Sequence, residues 1–114
     1  MGTTATQRDS VCVLTIDGEL TCANVAEFRD LAAFAPGGFA EDGRDFVVDF
    51  AEATGIDSAG LEALTWLKRE CDERLGLMKL CNLSDTMKKI LEMTRLDRLF
   101  ERYEFVEEAL QSFG

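Results

Sequence analysis

Residues 47–70, VVDFAEATGIDSAGLEALTWLKRE, pass from an apolar run to a charged one through a short joint of small and polar residues. Phe46-Val47-Val48, with Phe50 after Asp49, lacks the alternation of a half-exposed strand and predicts a central strand covered on both faces. Beyond the joint, Leu61, Leu64, Leu67, Cys71 and Leu75 recur every three or four residues, which predicts the buried face of a helix over 59–75, ended by Gly76. On that phase Trp66 lies nearly opposite the stripe, at least partly exposed, on a side shared with Ala59, Ala63 and Glu70.

The joint, Ile56-Asp57-Ser58-Ala59-Gly60, admits two frames. With Asp57 as N-cap, its carboxylate accepts from the amide of Ala59 or Gly60, and Ile56 and Leu61 form a hydrophobic staple. Ser58 is then the first helical residue, its hydroxyl projecting outward with little bulk around it. With Ser58 itself as N-cap, the hydroxyl is occupied by the helix. Asp-Ser at a helix start is also ordinary capping chemistry, so both frames stay open on spacing alone.

Working outward, Val11–Ile16 predicts a strand, Asp17-Gly18 a turn and Glu19-Leu20 a short return strand. Asn24 with Glu27 makes a capping-box variant for a first helix over 24–35. Pro36-Gly37-Gly38 stops that helix, and the stretch to Asp45 predicts a mobile surface loop. Leu77–Cys81 predicts a further strand, and Ser84 caps a third helix with Met87, Ile90, Leu91 and Thr94 on one face. Leu96, Leu99 and Phe100 return the chain to the core. Arg102–Phe105 predicts an edge strand, and Val106–Phe113 leaves room for two helical turns.

Strands alternating with helices give an α/β class: a mixed, largely parallel central sheet of four or five strands with about four helices and an N-terminal hairpin at its edge. The expected organisation is a flexible tail over 1–9 and one domain over 10–114.

Composition narrows the function classes. Twenty-two Asp and Glu against twelve Lys and Arg leave a net charge of −10, which repels phosphate backbones and anionic membranes, so no direct nucleic-acid partner is expected. A basic protein surface would be drawn in instead. No apolar run approaches the length that spans a bilayer, and residues 1–8 lack a signal-peptide core. No membrane insertion and a cytoplasmic location are therefore expected.

With no histidine in the chain, Ser-His-Asp, Cys-His and His-metal chemistry are all absent. Asp49, Glu52 and Asp57 are the remaining candidates for carboxylate chemistry, and acidic loops of this kind are common, so the expectation is a protein that is not an enzyme. Cys12, Cys22, Cys71 and Cys81 contain no C-x-x-C pair. They read as reduced, mostly buried thiols with no metal and no cofactor.

Phe46–Phe50, then Ile56-Asp57-Ser58-Ala59-Gly60-Leu61, then Leu80-Cys81-Asn82-Leu83-Ser84, Leu91-x-x-Thr94-x-Leu96 and Glu107-Glu108-Ala109-Leu110 together resemble the STAS domain of bacterial anti-sigma factor antagonists. The resemblance runs over about residues 10–112. It implies that Ser58 is a phosphorylation site for an anti-sigma factor that is itself a serine kinase. The unphosphorylated protein would bind that kinase and free a sigma factor, and a serine phosphatase would restore it. The partner-binding face would comprise Asp57, Ala59, Gly60, Glu62, Ala63 and Trp66.

Two positions depart from the family pattern: Thr21, where many relatives carry Asp after the second strand, and Arg95, where the family commonly has Gly in a left-handed cap. The resemblance also admits an accessory subunit of a lipid-transporting ABC system. A nucleotide-binding module is less well supported, since no Gly-rich phosphate cradle is present. The oligomeric state is left open.

Overall fold

The computed structural model describes residues 2–113 of the chain, in the order β1 Gly2–Arg8, β2 Val11–Leu20, α1 Val25–Phe34, β3 Asp45–Ile56, α2 Ser58–Glu73, β4 Met78–Cys81, α3 Asp85–Met93, β5 Glu101–Tyr103 and α4 Val106–Gln111. Met1 and Gly114, the outer ends of the expected tail and domain, lie outside the described residues. The five strands form one sheet in the order β1-β2-β3-β4-β5. β1 is antiparallel to β2, and every later pair is parallel. This is the mixed, largely parallel α/β architecture expected from the sequence.

Because β2 to β5 step across the sheet in chain order, their three connecting helices fall on one face. Phe28 and Ala32 of α1, Leu64, Leu67 and Cys71 of α2, and Met87 and Leu91 of α3 pack there on Cys12, Leu14, Ile16, Phe46, Val48, Phe50 and Leu80. The period-two alternation of strands sends Val11, Val13, Val47 and Cys81 to the opposite face, where Ala109 of α4 covers them. The central strands are thus apolar on both sides, which is why β3 reads as an unbroken hydrophobic run.

Lys79 pins α4 to this second face. It is buried; its ammonium donates to Ser112 Oγ at 2.5 Å and lies 4.2 Å from the Phe113 ring centre and 3.9 Å from the Glu101 carboxylate. Burial pushes the Cys81 thiol up to about 12, with the Asp49 charge adding to it.

Several expectations are corrected. The residues read as a flexible tail form β1, a seven-residue strand in unbroken register with β2 through Arg8↔Val11. The N-terminal hairpin therefore turns at Asp9-Ser10. Asp17-Gly18 is no turn: both residues pair with β3, and shifts of register on either side absorb them as irregularities within one long strand. The stretch after Pro36 is folded, with a 3-10 turn at Phe39–Glu41. Phe39 stacks obliquely on Phe46 at 4.8 Å and meets the Trp66 ring edge-on at 6.1 Å. The Phe39 ring, together with local bonds such as Gly37 N to Glu41 Oε1 and Gly43 N to Gly38 O, orders a segment whose composition reads as loop.

The phase of α2 is also rotated. Its buried residues are Gly60, Ala63, Leu64, Leu67 and Cys71, while Leu75 is 85% exposed and lies past the helix end at φ 60°. Gly76 serves a different purpose from a stop signal. A Cβ there would sit 1.9 Å from the Arg44 carbonyl oxygen, so only glycine lets the chain pass this point on its way into β4. Asn24 makes no capping bond to α1; its Oδ1 accepts from Thr21 N at 2.9 Å, and Glu27 instead accepts from Thr3 N at 2.8 Å.

Arg95 adopts the left-handed conformation (φ 62°, ψ 17°) between α3 and a 3-10 turn at Leu96–Leu99. A side chain pays a steric cost there that glycine avoids. Arg95→Gly is expected to raise stability by about 0.5–1 kcal/mol in urea unfolding; a decrease would mean that the Arg95 side chain contributes more than its backbone costs.

Candidate functional site

The joint lies at the carboxyl ends of β2 and β3. Opposite β4, β3 is paired only over Phe46–Asp49, whereas opposite β2 the pairing continues to Leu20↔Ile56. The two strands therefore project together beyond the rest of the sheet and deliver Leu20 and Ile56 side by side. Asp57 N then donates to Leu20 O at 3.3 Å, closing the junction.

Asp57 is the N-cap of α2 in an extended conformation (φ −109°, ψ −174°). Its Oδ1 accepts from Gly60 N at 2.9 Å and its Oδ2 from Cys22 N at 3.0 Å. One carboxylate thus caps the helix and ties it to the loop after β2. The Gly60 amide, followed by the Cys22 amide, holds its pKa below the usual aspartate value, so the group stays ionised. Of the two frames open in the sequence, the Asp57 frame is the one adopted.

Ser58 is the first residue of α2 and is exposed. Among the described residues its hydroxyl has no hydrogen-bond partner, because Asp57 does the capping. Ala59 is half-buried and Glu62 exposed, both available at the surface. Gly60 and Ala63 are buried and offer none, which corrects their place in the expected partner-binding face. A Cβ on Gly60 would lie 2.4 Å from Leu20 O and 2.5 Å from Ile56 Cγ1, so its role is to let the helix start press against β2.

Trp66 is half-buried rather than opposite the core. Arg29 of α1 lies 5.5 Å from its ring centre and Phe39 against its edge. Its remaining surface lines a groove with Leu61, Glu62, Thr65, Arg69 and Leu96 that runs between α2 and the turn after α3. Of the other candidate carboxylates, Asp49 is engaged by Asn82 Nδ2 at 2.9 Å and Ala51 N at 3.0 Å. Among the described residues no group of three or more metal-ligating side chains converges. No helix among them is long and apolar enough to cross a membrane.

Sequence reasoning missed Leu20 and Cys22. Their parts are played by backbone atoms, and only the pairing of β2 with β3 brings those atoms to residue 57. No side-chain pattern could have announced them.

The Asp57–Gly60 tie yields a pH prediction. A depressed folded-state pKa contributes stability that is fully present above the unfolded value, about pH 4, and is lost as pH falls through the folded value. Asp57→Asn retains a capping oxygen but does not titrate. The stability gap between wild type and Asp57→Asn is expected to shrink as pH drops from about 5 to 2; a gap independent of pH would show that the ionised form adds nothing.

Comparison with known proteins places this geometry in context. Residues 3–109 match the model of the STAS domain family. In fold the chain is similar to TM1081 of Thermotoga maritima, a proposed anti-sigma factor antagonist (19% identity, 96% of this chain and 92% of that one, TM-score 0.87). It is similar to the Bacillus anti-sigma factor antagonist SpoIIAA in its phosphorylated form (22% identity, 99% and 100%, TM-score 0.77). A sulfate transporter family protein of Wolinella succinogenes shares the fold too (16% identity, 94% and 87%, TM-score 0.77).

Proposed function

Because the chain belongs to the STAS domain family, we propose that it is an anti-sigma factor antagonist switched by phosphorylation at Ser58. In this reading the unphosphorylated protein sequesters an anti-sigma factor that is a serine kinase, a sigma factor is released, and a serine phosphatase resets the cycle. The observation that carries the proposal is the exposed Ser58 hydroxyl, left unengaged by a helix whose cap is already supplied by the preceding residue.

Each neighbour has a role in that reading. Asp57 fixes the backbone on which Ser58 stands, and Gly60 lets that backbone seat against Leu20. Ala59 keeps the approach open, so a kinase active site can reach the hydroxyl. Glu62 and the exposed part of Trp66 extend the docking face along α2 into the groove with Arg69 and Leu96. The net charge of −10 favours a basic surface on the kinase. The protein contributes binding and a phosphoacceptor, not catalysis.

The test is phosphate transfer from the cognate kinase and ATP, read by intact-protein mass spectrometry. One phosphate is expected on wild type and none on Ser58→Ala. Exposed Thr54 and Ser84, whose Oγ already accepts from Met87 N, are internal controls. Stoichiometric phosphate uptake by Ser58→Ala would remove the assignment.

A further inference from the structure

The two edges of the sheet are treated very differently. β5 is three residues long and carries Glu101 and Arg102. β1 spans seven residues, GTTATQR, has no proline, keeps unbroken register with β2 and carries no charge before Arg8. Natural sheets usually protect a long edge with charge, proline or a bulge; β1 has no proline and no bulge, and its one charge, Arg8, stands at the hairpin end and is paired with Glu107.

The direction of its free hydrogen-bonding groups follows from the register. The two-residue turn makes Arg8–Val11, Thr6–Val13 and Thr4–Thr15 the pairs that exchange bonds with β2. Thr3, Ala5 and Gln7 then point their amides and carbonyls away from the sheet. The bond from Thr3 N to Glu27 Oε1 agrees, since that amide is not used by β2. The outward groups of Ala5 and Gln7 have no protein partner among the described residues.

Above this edge, Glu27, Leu31 and Phe34 form one stripe of α1, and Phe34 is 73% exposed. Leu31, Phe34 and Ala35 line a shallow apolar surface bordered by Glu27 and Asp30. Beneath it, Thr3 is buried to 7% exposure, and its Oγ1 is the buried side-chain oxygen left without a partner among the described residues.

We propose that β1 is a homodimer interface, in which a second copy of this chain adds its own β1 antiparallel to the first to make a continuous ten-stranded sheet. The edge is self-complementary about Ala5. Ala5 would exchange both backbone bonds with Ala5 of the second copy, and Thr4 would face Thr6, a favourable cross-strand pair. Gln7 of the second copy would face Thr3, within reach of the orphaned Oγ1 and of Glu27.

The same two-fold axis lays the two α1 helices side by side, with Leu31 near the axis and Phe34 covered. A neutral edge is what allows two chains of charge −10 to meet. The interface lies on the far side of β2 from β3, so both Ser58 sites stay open. The dimer stands or falls independently of the phosphorylation reading.

Sedimentation velocity over a concentration series from micromolar to submillimolar tests it. Wild type is expected to approach twice its 12.7 kDa mass. The double variant Thr4→Lys/Thr6→Lys, at two exposed positions, places like charges opposite each other across the axis and is expected to weaken the dimer about 100-fold or more. Phe34→Glu, on an exposed helix face, disrupts the same interface without touching the strand. In a Cys22→Ser background, Ala5→Cys is expected to form an interchain disulfide under mild oxidation, because facing Cα atoms across such a pair lie at bridging distance. A wild type that stays monomeric overturns the proposal. So does a dimer that survives in both folded charge variants.

Discussion

Phosphorylation of Ser58 is expected to weaken the proposed complex with an anti-sigma factor kinase by about 100-fold or more. The phosphate brings a charge of roughly −1.5 to −2 to a position one residue from Asp57. That carboxylate is held ionised by the Gly60 and Cys22 amides, so it cannot relieve the repulsion by taking up a proton. The α2 N-terminus offsets only about 0.3–1 kcal/mol of an added negative charge.

An interface shaped around a neutral hydroxyl must otherwise bury an imperfectly paired dianion, at a cost of several kcal/mol, and each 1.4 kcal/mol is about tenfold in affinity. Ser58→Asp, with a smaller single charge, should weaken binding less, and Ser58→Ala should bind close to normally. A titration followed by Trp66 fluorescence against a partner lacking tryptophan would measure all three. Equal affinity for the phosphorylated and unphosphorylated forms would eliminate the switch.

Gly60→Ala sets two effects of opposite sign against each other. Helix propensity alone favours alanine within a helix by about 1 kcal/mol. The structure predicts the reverse, because the new Cβ would meet the Leu20 carbonyl oxygen at 2.4 Å and Ile56 at 2.5 Å. A backbone oxygen inside a paired strand cannot swing aside like a side-chain tip. Relief requires α2 to lift from β2, which strains the Asp57–Gly60 and Asp57–Leu20 bonds together.

Overpacking of this kind costs about 1–3 kcal/mol, and the rigid obstacle puts Gly60→Ala at the upper end, with a melting point lower by roughly 5–15 °C. The proposed phosphate acceptor should be affected with it, since Ser58 stands on the displaced segment. A Gly60→Ala protein as stable as wild type would show that the β2–α2 junction yields freely.

The sequence by itself determined the α/β class, the central strand, three of the four helices to within a residue or two, and the Asp57-Ser58 joint. Each rests on a local signal: an unalternating apolar run, a three-to-four spacing, a capping residue beside small neighbours. Ser84 as cap of α3 was legible for the same reason and accepts from Met87 N at 3.1 Å. What only the tertiary structure decided involves partners remote in the chain.

Residues 2–8 are polar and weakly patterned, and become a strand because β2 offers a free edge for them. Phe39 helps to order its segment by reaching Phe46 and Trp66. The phase of α2 could not be read from its leucines, because two of its buried positions are Gly60 and Ala63, chosen for close approach to the sheet and carrying little hydrophobic signal. The Asp57 cap, which leaves the Ser58 hydroxyl unengaged, rests on two main-chain donors, the local amide of Gly60 and the amide of Cys22, 35 residues away in sequence. A main-chain donor leaves no mark in the amino-acid sequence, so the choice of Asp57 over Ser58 became visible only once β2 and β3 lay side by side.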